Sequence, residues 1–121
     1  MAEKPIILLI DSNRSNLEQL SQYLEREGFT IIGVTSPEEV EQALQDTGKI
    51  DLALIDLSGF DRNIWDCCEQ LTKLKIPFMV ISPQRSPMVQ QDSVKHGARG
   101  VLVKPIGIKE LLEYVRTLLA K

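Results

Sequence analysis

Five short apolar runs, each ended abruptly by a polar residue, alternate with amphipathic stretches along the whole chain. Ile6 to Ile10 is a continuous run of isoleucine and leucine, as expected of a strand buried on both faces. Thr30 to Val34, Asp51 to Ile55, Phe78 to Ile81 and Gly100 to Val103 read as the other strands. Between the first two, Leu17, Leu20 and Leu24 recur at helical spacing and Gly28 closes the helix. Ser36-Pro37-Glu38-Glu39 reads as a helix start: a capping hydroxyl, proline in the first turn, and acids at the positive end of the dipole. Val40, Ala43 and Leu44 give that helix its apolar stripe. Ile64, Cys67, Cys68, Leu71 and Leu74 form the next helical face, with Pro77 at its exit. Residues 87 to 96 read as a weaker helix anchored only by Met88, Val89 and Val94. Ile108, Leu111, Leu112, Val115, Leu118 and Leu119 make a strongly amphipathic last helix. Strand and helix in strict alternation predict an α/β fold, a parallel sheet with helices on both faces. At 121 residues the chain is the length of one domain, spanning 1–121.

Charge and run length exclude several functions. Fourteen Lys and Arg against 17 Asp and Glu leave a formal charge of −3, with no basic block. Direct nucleic-acid binding is therefore not expected. No apolar run approaches the roughly 18 residues that span a bilayer, so no membrane insertion is expected. The opening Met-Ala-Glu-Lys-Pro does not read as a secretory signal, and a cytoplasmic location is expected. Cys67 and Cys68 are adjacent, which suits neither a disulfide nor a metal site, and both read as small core hydrophobes.

In an open α/β sheet, ligands bind beyond the carboxyl ends of the strands. The first strand delivers Asp11 there, the third Asp56, the fourth Ser82 and the fifth Lys104. The order Leu-Leu-Ile-Asp11, Ala-Leu-Ile-Asp56, Val-Ile-Ser82 and Leu-Val-Lys104-Pro105 resembles the receiver domain of two-component response regulators, over essentially the whole chain. The resemblance implies a five-stranded parallel sheet in the flavodoxin-like order 2-1-3-4-5. It implies a phosphoryl acceptor in signalling, not an enzyme. Asp56 would be the phosphoacceptor. Asp11, Asp56 and the backbone carbonyl of Ser58 would hold Mg²⁺, a hard ion satisfied by one or two carboxylates and waters. Lys104 would pair with the phosphoryl oxygens, and Ser82 would hydrogen-bond the phosphoryl group and report its presence. The donor would be a histidine kinase or a phosphotransfer protein. A downstream protein or output domain would read the signal from the face of the fourth helix, fifth strand and last helix. Lys104–Pro105 would be a cis peptide.

Several residues depart from the family. Ser12 stands where most receivers carry a second acid, so Mg²⁺ should bind weakly, on the order of millimolar. Pro83 after Ser82 removes an N–H that usually reaches the phosphoryl group. The acceptor loop reads Ser58-Gly59-Phe60-Asp61 in place of the usual Pro-Gly pair, and Val101 replaces an aromatic residue. These departures favour an alternative: a pseudo-receiver that binds protein partners without phosphorylation. A flavin mononucleotide carrier on the same topology is a further rival, suggested by the polar stretch Ser12 to Asn16. That stretch has no glycine, and Asp11 would repel a phosphate. Taken singly the residues have plainer readings. Asp11 could cap the first helix with Ser12 and Asn13, and Ser82 could be an ordinary strand-end serine. His96 reads as a solvated helix end, and Trp65 as packing at a helix start. Arg14, Arg62 and Arg85 could be solubilising charge. A chain ending after its last helix fits both a stand-alone regulator and a piece of a larger protein. Ser12→Asp is expected to tighten Mg²⁺ binding, read by Trp65 fluorescence and calorimetry; no gain would remove Ser12 from the metal site.

Overall fold

A computed structural model describes residues 4–120. The strands β1 (Ile6–Ile10), β2 (Thr30–Val34), β3 (Leu52–Asp56), β4 (Phe78–Ser82) and β5 (Gly100–Val103) form one parallel sheet in the order β2-β1-β3-β4-β5. They alternate with helices α1 (Arg14–Arg26), α2 (Pro37–Asp46), α3 (Ile64–Lys73), α4 (Pro87–Lys95) and α5 (Ile108–Leu119). The strand assignments differ from expectation by one residue at three ends. Asp56 and Ser82 are the last residues of β3 and β4, because Asp56 pairs with Ile81 and Ser82 with Val103 in the ladder. Asp51 falls outside β3, where its carboxylate accepts the Ile6 N–H at 2.8 Å.

Alternating side chains of the strands feed two cores. Leu8 and Ile10 pack with Val40 and Ala43 of α2 and with Cys67, Cys68 and Leu71 of α3. Ile7 and Leu9 face the other way, against Leu17 and Leu24 of α1 and Leu111, Leu112 and Val115 of α5. Fully burying a side chain of this size contributes about 1.5–3 kcal/mol, which explains why these two layers carry the fold. Burial pushes both thiols up, Cys68 to about 12, so neither is a reactive nucleophile at neutral pH. Leu74 does not belong to the α3 face. It lies just past the helix end and is 56% exposed. No helix among the described residues is long and apolar enough to cross a membrane.

The loops start helices as the sequence suggests. Asn13 caps α1, its Oδ1 accepting the Asn16 N–H at 3.0 Å. The Ser36 hydroxyl accepts the Glu39 N–H at 3.2 Å to begin α2. Asp11 is therefore not the cap of α1, although its Oδ1 accepts the Asn13 N–H at 2.9 Å and shapes the turn before it.

The fourth helix is weaker than its pattern suggests. Met88 and Val94, two of its three apolar side chains, are 70% and 62% exposed. Its one buried residue is Ser93, whose hydroxyl donates to the Val89 carbonyl at 2.7 Å. What holds the far end of α4 is His96, whose side chain is only 19% exposed rather than fully solvated. Its ring stacks on Trp65 with centroids 5.0 Å apart, its Nδ1 lies 2.7 Å from the Asp92 carbonyl, and its own carbonyl accepts the Thr72 hydroxyl at 2.9 Å. The α4 backbone is thus pinned to α3 at one end and thinly anchored along its length. Amides of α4 are expected to exchange faster with deuterium than those at Leu111 to Val115 of α5. Equal protection in the two helices would overturn this ranking.

Candidate functional site

The parallel register brings the carboxyl ends of the central strands level. Asp11 follows β1, its N–H donating to the Val34 carbonyl at 3.1 Å. Asp56 ends β3, Ser82 ends β4, and the Lys104 N–H donates to the Ser82 carbonyl at 2.9 Å. Lys104–Pro105 is a cis peptide, in agreement with the resemblance. Asp11, Asp56 and Lys104 line one cavity of about 230 Å³, together with Leu20, Ile81 and Leu111. Both carboxylates are buried, Asp11 4% and Asp56 6% exposed.

Charge within this cavity is partly balanced. Lys104 Nζ sits 2.6 Å from Asp56 Oδ2, and the Ser58 N–H donates to Asp56 Oδ1 at 2.9 Å. Burial pushes the Asp11 carboxyl above its ordinary range. The Asn13 N–H pulls it back, the Asp56 charge raises it again, and Lys104 lowers it, with burial prevailing. A negative site with one resident ammonium is suited to a species that carries both phosphoryl oxygens and a counter-cation. Asp11, Asp56 and the Ser58 carbonyl supply hard oxygen donors of the type Mg²⁺ takes. Among the described residues no cluster of three or more His, Cys, Asp and Glu side chains forms, so an ion held here depends on backbone and water as well.

The structure thus brings Asp11, Asp56, Ser58 and Lys104 together. Ser82 is buried one strand away, and its hydroxyl donates to the Gln84 carbonyl at 2.6 Å. It lines a separate cavity of about 330 Å³ with Phe60, Trp65 and Val89. Two contacts escaped sequence reasoning. The Ser58 hydroxyl lies 3.3 Å from Lys104 Nζ, and the Ser12 hydroxyl donates to the Ser58 carbonyl at 2.7 Å. Both join residues 46 apart, and no local pattern signals them.

The response regulator receiver domain family matches residues 7–116. The heme response regulator HssR of Staphylococcus saprophyticus is 25% identical over 115 residues, covering 94% of this chain and 51% of that protein. The sensory transduction protein RegX3 of Mycolicibacterium smegmatis is 26% identical over 120 residues, covering 95% and 50%. The chain spans about half the length of these curated relatives. Among solved structures, a CheY-like receiver domain protein from Methanospirillum hungatei superposes with a TM-score of 0.88 at 23% identity, covering 98% of this chain and 95% of that one. A receiver protein from Pseudomonas putida gives 0.85 at 26% identity, covering 97% and 99%. Since the family match runs from β1 into α5 and takes in every strand and helix between, the chain belongs to the response regulator receiver domains of two-component systems.

Proposed function

We propose that this receiver domain accepts a phosphoryl group on Asp56 and switches a protein-interaction surface in response. The observation that carries the reading is the buried Asp56 carboxylate held 2.6 Å from Lys104 Nζ, in a cavity Asp11 also lines. Receiver domains interact with histidine kinases or phosphotransfer proteins. The donor is then a phosphohistidine on one of them. An Asp56 oxygen bonds to phosphorus as the P–N bond breaks, and the imidazole nitrogen keeps the electron pair. Such a transfer rests on positioning and charge neutralisation. The Ser58 N–H fixes one Asp56 oxygen, and Lys104 offers its ammonium to the phosphoryl oxygens. Mg²⁺, when bound, supplies further neutralisation of phosphoryl charge, held by Asp11, Asp56 and the Ser58 carbonyl and weakened by Ser12. The acceptor is used once per signal, so the role is that of a signalling module and not of an enzyme.

The interaction surface is the face of α4, β5 and α5. Met88, Val94, Ile108 and Tyr114 expose large apolar side chains on its two helices. Ser82 stands at the root of α4, where a phosphoryl group can bias a thinly anchored helix. One observation favours a second reading, a pseudo-receiver that binds partners without phosphorylation. The Ser82 hydroxyl is spent on the Gln84 carbonyl, across a proline that has no N–H to offer.

Intact mass after incubation with phosphoramidate and Mg²⁺ decides between them. A single phosphoryl adduct is expected, absent from Asp56→Asn and formed about a hundredfold more slowly by Lys104→Ala. A folded natural chain that stays unmodified hands the site to the second reading.

Asp11 gives a prediction about stability. Its folded carboxyl holds the proton more tightly than the unfolded chain does, so stability falls as pH rises from the ordinary value of 3.8 through the folded one. The ionised group carries that cost at neutral pH. Asp11→Asn removes it and is expected to raise Tm at neutral pH, with the gain shrinking in acid. Thermal melts across the pH range read this, and a Tm no higher than that of the natural chain at neutral pH would refute it.

A further inference from the structure

Ser12 makes a contact that the loss of an acid does not explain. Its hydroxyl donates to the Ser58 carbonyl at 2.7 Å, joining the loop after β1 to the loop after β3. Gly59 follows with a positive φ of 83°, and a Cβ at that position would run into Ser12 Oγ. Only glycine lets the two loops approach this closely. Ser58 is held at two further atoms, its N–H by Asp56 Oδ1 at 2.9 Å and its Oγ near Lys104 Nζ at 3.3 Å. The chain's own groups therefore engage every polar atom of Ser58.

We propose that Ser12 is a positioning residue: its hydroxyl bridges the two loops and competes with a divalent cation for the Ser58 carbonyl oxygen. This rests on the acceptor reading only for the choice of Mg²⁺ as the cation. The carbonyl has two lone pairs, one of which the Ser12 hydroxyl already uses. An ion that takes this oxygen must share it with that donor or displace it. Ser12→Ala frees the oxygen without adding any charge. If Ser12 were only a missing acid, alanine and serine would bind Mg²⁺ alike. If the Ser12 hydroxyl were itself a ligand, alanine would bind it more weakly. Competition predicts the opposite of both.

Two measurements test the bridge, neither of which uses phosphorylation. In metal-free protein, the Ser58 and Phe60 amides of Ser12→Ala are expected to exchange about fivefold faster than in the natural chain, the worth of one ordinary hydrogen bond. Ser12→Thr, which keeps the hydroxyl, is expected to retain the natural rate. In calorimetry, Ser12→Ala is expected to bind Mg²⁺ about fivefold more tightly than the natural chain. Unchanged exchange in Ser12→Ala overturns the proposal, as does Ser12→Thr exchanging like Ser12→Ala. Equal, weaker or undetectable Mg²⁺ binding by Ser12→Ala overturns it too. The phosphoryl adduct on Asp56 is scored separately, so a failed bridge and a failed acceptor are told apart.

Discussion

Asp56 and Lys104 meet 2.6 Å apart at the end of a fully buried strand, and this pair makes the rest of the site possible. Two carboxylates placed in one buried cavity repel each other and lose hydration, and each effect opposes ionisation. The shift at Asp11 records that opposition, with burial outweighing the Asn13 N–H and the Lys104 charge. Lys104 reaches the pair from the partly exposed side of the site, on a stem anchored by β5 and followed by a cis proline. A single ammonium beside two acids leaves the cavity short of positive charge. An arrangement with that deficit is suited to receive a cation.

Parallel pairing turns this local chemistry into a property of the whole sheet. Each strand ends level with its neighbour, so four residues spread over 94 positions of sequence, Asp11 to Lys104, come to one edge. The order β2-β1-β3 also sends the connections after β1 and β3 in opposite directions, opening the crevice between their ends. Around that edge the fold is unevenly held. Helix α5 is locked by Leu111, Leu112 and Val115, whereas α4 buries one serine and leans on the Trp65–His96 stack. On the proposed acceptor reading, a signal generated at Asp56 would meet its least resistance toward α4.

The loops carry two further contacts. Ser12, Ser58 and Gly59 form one contact, in which the Ser12 hydroxyl engages the Ser58 carbonyl and Gly59 leaves room for it. Ser82 and Gln84 form a second: the serine hydroxyl donates to the Gln84 carbonyl across Pro83. The second satisfies a buried hydroxyl within the chain, as buried polar groups require.

The sequence alone determined the strand–helix alternation of a parallel α/β fold and the residues at its carboxyl edge, while the strand order came from the family resemblance. An apolar run buried on both faces has few alternatives to a central parallel strand, and a polar residue that ends such a run falls at the sheet edge. Asp11, Asp56 and Lys104 were legible for that reason. Strand ends shifted by one residue because the ladder, not hydropathy, decides where Asp56 and Ser82 stop pairing. Tertiary structure alone decided which hydroxyl faces which carbonyl. Ser12 meeting Ser58 and His96 stacking on Trp65 each depend on how loops and helices from separate parts of the chain are placed. A hydrogen bond is set by a few tenths of an ångström and a narrow angle, while a sequence pattern fixes only faces and periods.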